Sequence, residues 1–164
     1  MKQYALPIVC LVIAAGIQGN LPASMCLFGA RPDLVLVVLV AYSLAAEPTF
    51  GATLGFVAGL IHGASVGMSL GSFIVTRTLT GFLASLVTTR LFGENPVVPT
   101  VAAAGLTLVC EGLFALSNPR APFVPAIRII AGECVYNALL ALILYWILRG
   151  FQTRKKISLV NARI

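Results

Sequence analysis

Three ionisable residues lie inside long apolar stretches of this chain: Arg77, Glu111 and Glu133. A charge near the centre of a bilayer costs roughly 2.5–3.5 kcal/mol on insertion scales, so such groups pair or face a polar interior. The expected pair is Arg77 with Glu111 or Glu133. Asn137 follows Glu133 by one helical turn and shares its face. An intramembrane polar network of this kind is either a structural ion pair or a site for a partner or ligand. His62 is the only histidine, which excludes the two-histidine H-E-x-x-H zinc motif. A lone histidine at the end of an apolar run reads as a polar cap, and no Ser-His-acid triad is expected around it. There is no G-x-x-x-x-G-K-[ST] phosphate loop, so the chain does not power transport by itself. The expectation is a protein that is not an enzyme and uses no cofactor or metal.

These residues are carried by six apolar runs, at roughly 4–18, 33–46, 50–66, 70–91, 97–116 and 124–148. Turn chemistry separates them: Gly19-Asn20-Leu21-Pro22, Arg31-Pro32-Asp33, Glu47-Pro48, Gly93-Glu94-Asn95-Pro96 and Asn118-Pro119-Arg120. An untilted helix needs about 20 residues to cross the hydrocarbon core. The last three runs meet that length, and the first three fall short of it. Hydrophobic residues make up 59% of the 164 positions and charged residues 10%, with a mean hydropathy of +1.00. A soluble domain carries about 25% charged residues. The predicted fold is therefore all-α, a polytopic membrane bundle of about six transmembrane helices over 1–150, with a basic tail over 151–164.

The net charge of +6 does not point to nucleic acid, because the cations are placed for a membrane. Arg149, Arg154, Lys155 and Lys156 follow the last run and form a cytoplasmic anchor beside anionic headgroups. With six spans, Lys2, Arg90 and this tail share one side, while Arg31 and Arg120 fall on the other. Both termini are then expected on the cytoplasmic side of the membrane. Trp146 sits near the cytoplasmic end of the last span, where an interfacial residue belongs. The four cysteines, Cys10, Cys26, Cys110 and Cys134, show no C-x-x-C pairing and read as small hydrophobes. Leu21 to Cys26 has the outline of a lipoprotein cleavage site. Met25 before the cysteine and the single Lys2 ahead of the run argue for a retained first span.

Glycine recurs at every fourth position over Gly51, Gly55, Gly59, Gly63, Gly67 and Gly71. On a helix this spacing makes one smooth stripe where another backbone can come close, and in lipid such packing drives association. The stripe serves either a neighbouring span or a separate protein.

The order of these motifs resembles the bacterial rod shape-determining MreD family. Pro32-Asp33-Leu34-Val35-Leu36-Val37-Val38-Leu39-Val40 carries the likeness at the second span. Gly51-Ala52-Thr53-Leu54-Gly55-Phe56-Val57-Ala58-Gly59-Leu60-Ile61, then Ser69-Leu70-Gly71, carries it at the third. Tyr136-Asn137-Ala138-Leu139-Leu140-Ala141-Leu142-Ile143-Leu144-Tyr145 carries it in the last. Members often have an acidic residue shortly after the Gly-Phe-x-x-Gly-Leu stretch, where this chain has Ile61-His62-Gly63. The resemblance implies a fold like that of the membrane-embedded substrate-binding subunits of energy-coupling-factor transporters. It implies a non-enzymatic subunit of the cell-elongation machinery that binds the single-span scaffold MreC. Through MreC it would meet the glycosyltransferase RodA, its penicillin-binding transpeptidase and the actin-like MreB filament. It also allows a homodimer and contacts with membrane lipids. Pro32, Asp33, the glycines and Asn137 are carried over as packing and interface positions. The other reading that follows from the shared fold is a substrate-binding subunit of a vitamin transporter, with an outward polar pocket. The outer-half charges and His62 suit it, while the short outward loops, with no aromatic cluster, do not.

Overall fold

The computed structural model describes residues 2–26, 29–44, 46–91, 97–117 and 123–161. Six α-helices follow in order: α1 (Lys2–Gly19), α2 (Leu34–Ser43), α3 (Pro48–Val66), α4 (Leu70–Leu91), α5 (Val97–Ser117) and α6 (Phe123–Asn161), with one 3-10 turn at Ala23–Met25 between α1 and α2. Their ends obey local chemistry. Asp33 caps α2 by accepting the Leu36 N–H at 2.9 Å. Pro48 opens α3, where its fixed φ is already helical and its missing N–H costs nothing. Gly67 closes α3 in the left-handed conformation at φ +74°, donating to the Gly63 carbonyl at 3.0 Å.

Pro48–Val66, Leu70–Val87, Val97–Ser117 and Ile127–Leu144 are long and apolar enough to cross a membrane. The apolar part of α1 is shorter, and α2 has only 10 residues. At 1.5 Å per residue α2 covers about 15 Å, half of a hydrocarbon core of about 30 Å. It survives because protein surrounds it: α2 packs against α1, α3, α4, α5 and α6. Irregular backbone at membrane depth is tolerated only where protein buries it, and the ends of α2 meet that condition. One apolar cluster joins Val35 and Leu39 to Leu11, Ala14, Leu54 and Ala58. A second joins Leu36, Val37 and Val40 to Ala84, Ala103, Leu106 and Ala141. The two faces of α2 therefore hold two halves of the bundle.

The glycine stripe packs inside the chain. A Cβ added at Gly51, Gly55 or Gly59 would fall within 3.0 Å of α4 backbone atoms of Gly81, Arg77 or Ile74. At Gly63 it would meet Leu70. The stripe then stops: Gly67 is a turn, and Gly71 has nothing within 4 Å of its Cβ position. The six-glycine pattern is thus four packing positions, one cap and one open position, because α3 ends at Val66. The helix α6 runs without a break through Arg149, Arg154, Lys155 and Lys156 to Asn161, so helix continues past the expected boundary at 150.

Gly55→Ala should lower stability by about 1–3 kcal/mol, because the obstructing atoms belong to the α4 backbone and cannot rotate away. Gly105→Ala, whose Cβ meets nothing within 4 Å, should be neutral or gain about 0.5–1 kcal/mol from helix propensity. Thermal unfolding of the two purified variants in one detergent checks the contrast.

Candidate functional site

The start of α2 lies inside the bundle, so its unpaired N–H groups need partners other than water. Side chains from two other helices supply them. Asn137 of α6 accepts the Asp33 N–H through its Oδ1 at 2.9 Å. Gln18, near the end of α1, accepts the Val35 N–H through its Oε1 at 3.2 Å. The Asp33 carboxylate takes the Leu36 N–H and meets the positive end of the helix dipole. Asn137 Nδ2 in turn donates to Thr107 Oγ1 of α5 at 3.1 Å, and that hydroxyl donates to the Ala103 carbonyl at 2.7 Å.

A buried carboxylate needs a cation, and Arg77 of α4 provides it. Arg77 is 1% exposed. Its Nη2 bonds Asp33 Oδ2 and its Nη1 bonds Cys110 Sγ of α5. The same Nη1 lies 3.5 Å from Glu111 Oε1. Phe73 stands one turn before Arg77, with the guanidinium carbon 5.7 Å from its ring centroid, and packs in tilted contacts with the rings of His62 at 4.4 Å and Phe114 at 4.7 Å. This wall keeps the guanidinium apart from lipid and strengthens its attraction to the ring.

His62 enters from α3, set by the close α3–α4 packing. The Val35 N–H fixes the Gln18 amide with its oxygen toward α2, so the Gln18 nitrogen donates to His62 Nε2 at 3.2 Å. Neutral His62 then carries its proton on Nδ1, 3.8 Å from Asp33 Oδ1 and 3.4 Å from Arg77 Nη2. Gln18, Asp33, His62, Arg77, Cys110 with Glu111, and Asn137 come from α1, the start of α2, α3, α4, α5 and α6 in turn. All six helices meet in one cluster. It lies at the end where α1, α3 and α5 finish and α2, α4 and α6 begin.

The sequence-level expectations change in four places. The bonded carboxylate of Arg77 is Asp33, with Glu111 second at 3.5 Å, and Glu133 makes no ion pair among the described residues. Asp33 stood at the edge of an apolar run and read as packing, whereas the structure makes it the central anion. His62 is a buried member of the cluster rather than a polar cap at a helix end. Cys110, which reads as a small hydrophobe, accepts from Arg77, and Gln18 and Thr107 join the cluster although one polar residue beside a glycine turn, or a small one in an apolar run, carries no mark of its partners. Pro32 is buried beside Asp33.

The sequence also contains two G-x-S-x-G spacings, Gly63-Ala64-Ser65-Val66-Gly67 and Gly67-Met68-Ser69-Leu70-Gly71. A nucleophile elbow requires a strand, a sharp turn and a helix. Ser65 lies in α3 and donates to the His62 carbonyl at 2.7 Å. Ser69 lies between two helices at φ +55°, and its carbonyl accepts the Phe73 N–H at 3.1 Å as α4 begins. Neither has the elbow context, and the His62 ring nitrogens face Gln18, Asp33 and Arg77. Among the described residues no three His, Cys, Asp or Glu side chains are placed to hold a metal ion.

Apolar helices joined by a buried ionic cluster define an all-α helical membrane protein. The family described as rod shape-determining protein MreD matches residues 2–155, and the chain belongs to that family of shape-determining structural membrane proteins. Neither the curated proteins nor the solved structures contain a match.

Arg77→Leu should cost about 3–5 kcal/mol, because it strands the Asp33 carboxylate. Adding Asp33→Asn, which keeps an oxygen for the Leu36 N–H, should recover part of that loss. Alone, Asp33→Asn should cost more than Glu111→Gln. A double-mutant cycle on detergent unfolding measures this, and the reverse ranking would make Glu111 the main partner.

Proposed function

We propose that this chain is a non-enzymatic, multi-pass subunit of the bacterial elongation complex, held in the inner membrane with both termini in the cytoplasm. It binds the scaffold MreC and, through it, positions the glycosyltransferase RodA and its penicillin-binding transpeptidase along the MreB filament. The observation that carries this reading is the family match over residues 2–155. The geometry agrees with it. A cluster drawn from all six helices fixes their relative positions, so the bundle presents one stable surface to a partner. The arginine and histidine that would attract a catalytic reading are occupied in holding helices together. Gln18 of α1 and Asn137 of α6 both lie at the cluster end. Lys2 and the basic end of α6 are therefore carried to the opposite end, as a shared cytoplasmic side requires.

A vitamin-binding subunit fits less well. A groove of about 230 Å³ lies between α4 and α5, lined by Gly71, Ser72, Val75, Thr76, Leu79, Leu113 and Ser117. Sites for drug-sized ligands run to about 300–1,000 Å³ and are rich in aromatic side chains. This groove is smaller and has no aromatic wall.

Depletion of the protein in its native bacterium should turn rods into rounded cells that still take up vitamins, and the tagged chain should capture MreC from solubilised membranes. Unchanged rods with a new vitamin requirement would favour the transporter reading instead.

A further inference from the structure

The helices form an incomplete ring around α2. Helix α1 packs on α3, α3 on α4, α4 on α5 and α5 on α6, and each of the five also packs on α2. Among the described residues α1 and α6 do not touch, so the ring is open between them. Helices of equal width fit six around one, each neighbour subtending about 60° at interaxial distances of about 8–10 Å. Five in succession leave about 120° between the axes of the first and the last, which is room for one more helix.

The exposure of α2 marks the same opening independently. Val35, Leu36, Val37, Leu39, Val40 and Ser43 are buried, whereas Leu34, Val38, Ala41 and Tyr42 are partly exposed. These four recur at spacings of three and four, so they share one face. Hydrogen bonds fix which sides of α1 and α6 flank it. Cys10 meets the Tyr42 hydroxyl at 3.5 Å, and Tyr136 donates to the Met25 carbonyl of the α1–α2 connection at 2.7 Å. Ile17 lies two turns after Cys10, and Ile143 two turns after Tyr136, so each continues its wall of the groove. They are 52% and 55% exposed.

We propose that the groove between α1 and α6 receives one transmembrane helix of a single-span partner, laid along Leu34, Val38 and Ala41. The inference rests on the proposed function for the partner's identity, the span of MreC, and deepens that reading by placing the contact. A span of about 20 residues is about 30 Å long and about 10 Å across. With half its circumference against α1, α2 and α6, the two surfaces together bury roughly 1,000 Å², the lower bound for a specific interface. A second copy of this chain does not fit the slot, because each of its helices is already packed against at least two others. Charge adds direction. Arg31, three residues before Leu34 at the outer end of the floor, is exposed and makes no ion pair among the described residues. An outward arginine runs against the cytoplasmic bias of basic residues. It suits an Asp or Glu just outside the partner's span.

The test is photo-crosslinking of the full-length chain to full-length MreC, co-expressed in membranes. A benzoyl-phenylalanine at Ile17 or at Ile143 should each yield a MreC adduct, and one at Leu108, 59% exposed on α5, should yield none. Val38→Trp, which fills the floor, should lower MreC capture about 10-fold with an unchanged unfolding temperature. Arg31→Glu should lower it about 10-fold, and exchange of one Asp or Glu beside the outer end of the MreC span for Lys should restore it. Capture of MreC without an adduct from Ile17 or Ile143, or with adducts to lipid or to a second copy alone, would overturn the groove and leave the proposed function standing. Unchanged capture by folded Val38→Trp would overturn it too. Where Val38→Trp lowers the unfolding temperature, the adducts at the two exposed positions decide. No capture by wild type would overturn the proposed function, and this contact with it.

Discussion

Everything in this bundle turns on the burial of one helix start. The first turn of α2 lies among the other five helices, where its free N–H groups, its positive dipole end and the Asp33 carboxylate are all cut off from water. Each needs a partner, and the partners come from far along the chain: Gln18 is 17 residues from Val35, and Asn137 is 104 residues from Asp33. The carboxylate adds a charge that only Arg77 balances. A buried ion pair of this kind is weak evidence for net stability, because desolvation offsets most of the attraction. Its physical consequence is specificity. Any other register of the helices leaves a charge or a backbone donor unpaired in lipid.

The apolar packing brings the members of the cluster within reach. The glycines of α3 let α4 approach until the backbones touch, which places His62 and Arg77 on either side of Asp33. The two clusters on α2 hold α1 with α3 on one flank and α4, α5 and α6 on the other. Since lipid tails are as apolar as leucine, packing and polar bonds rather than hydrophobicity decide which helices meet. Close backbone contact and a shared polar cluster are the two devices available, and the chain uses both.

This division of labour bears on function. A scaffold must keep a defined shape while others pull on it, and a six-helix cluster at one end gives that rigidity. Arg77 bonds Asp33 and Cys110 through its two Nη atoms while its buried Nε has no hydrogen-bond partner, and Glu133 stays half-buried on α6. Helix α6 combines that carboxylate with slight coverage: 17% of its apolar window is buried, against 39% for α3 and α4. Of the four described spans long and apolar enough to cross a membrane, its window is the least covered.

Several features were legible without coordinates. Hydropathy and turn residues placed six helices, and α4 and α5 differ from their apolar runs by at most one residue, because lipid imposes length and composition directly on the sequence. The glycine spacing announced a close helix contact, since only a side chain of hydrogen permits it. Arg77, Glu111, Glu133 and Asn137 stood out because polar groups in an apolar run need a reason. What sequence could not supply was pairing. Asp33 and Gln18 looked like loop edges because they flank apolar runs, and nothing local distinguishes a residue that faces water from one that turns back into the bundle. Whether α2 spans or is enclosed was equally hidden, since both demand apolar residues on every side. Composition by itself determined that these helices belong in a membrane, because the cost of transfer is a sum over residues. Only the tertiary structure decided which charge meets which, because that choice depends on distances between segments that the chain separates by 15 to 104 residues.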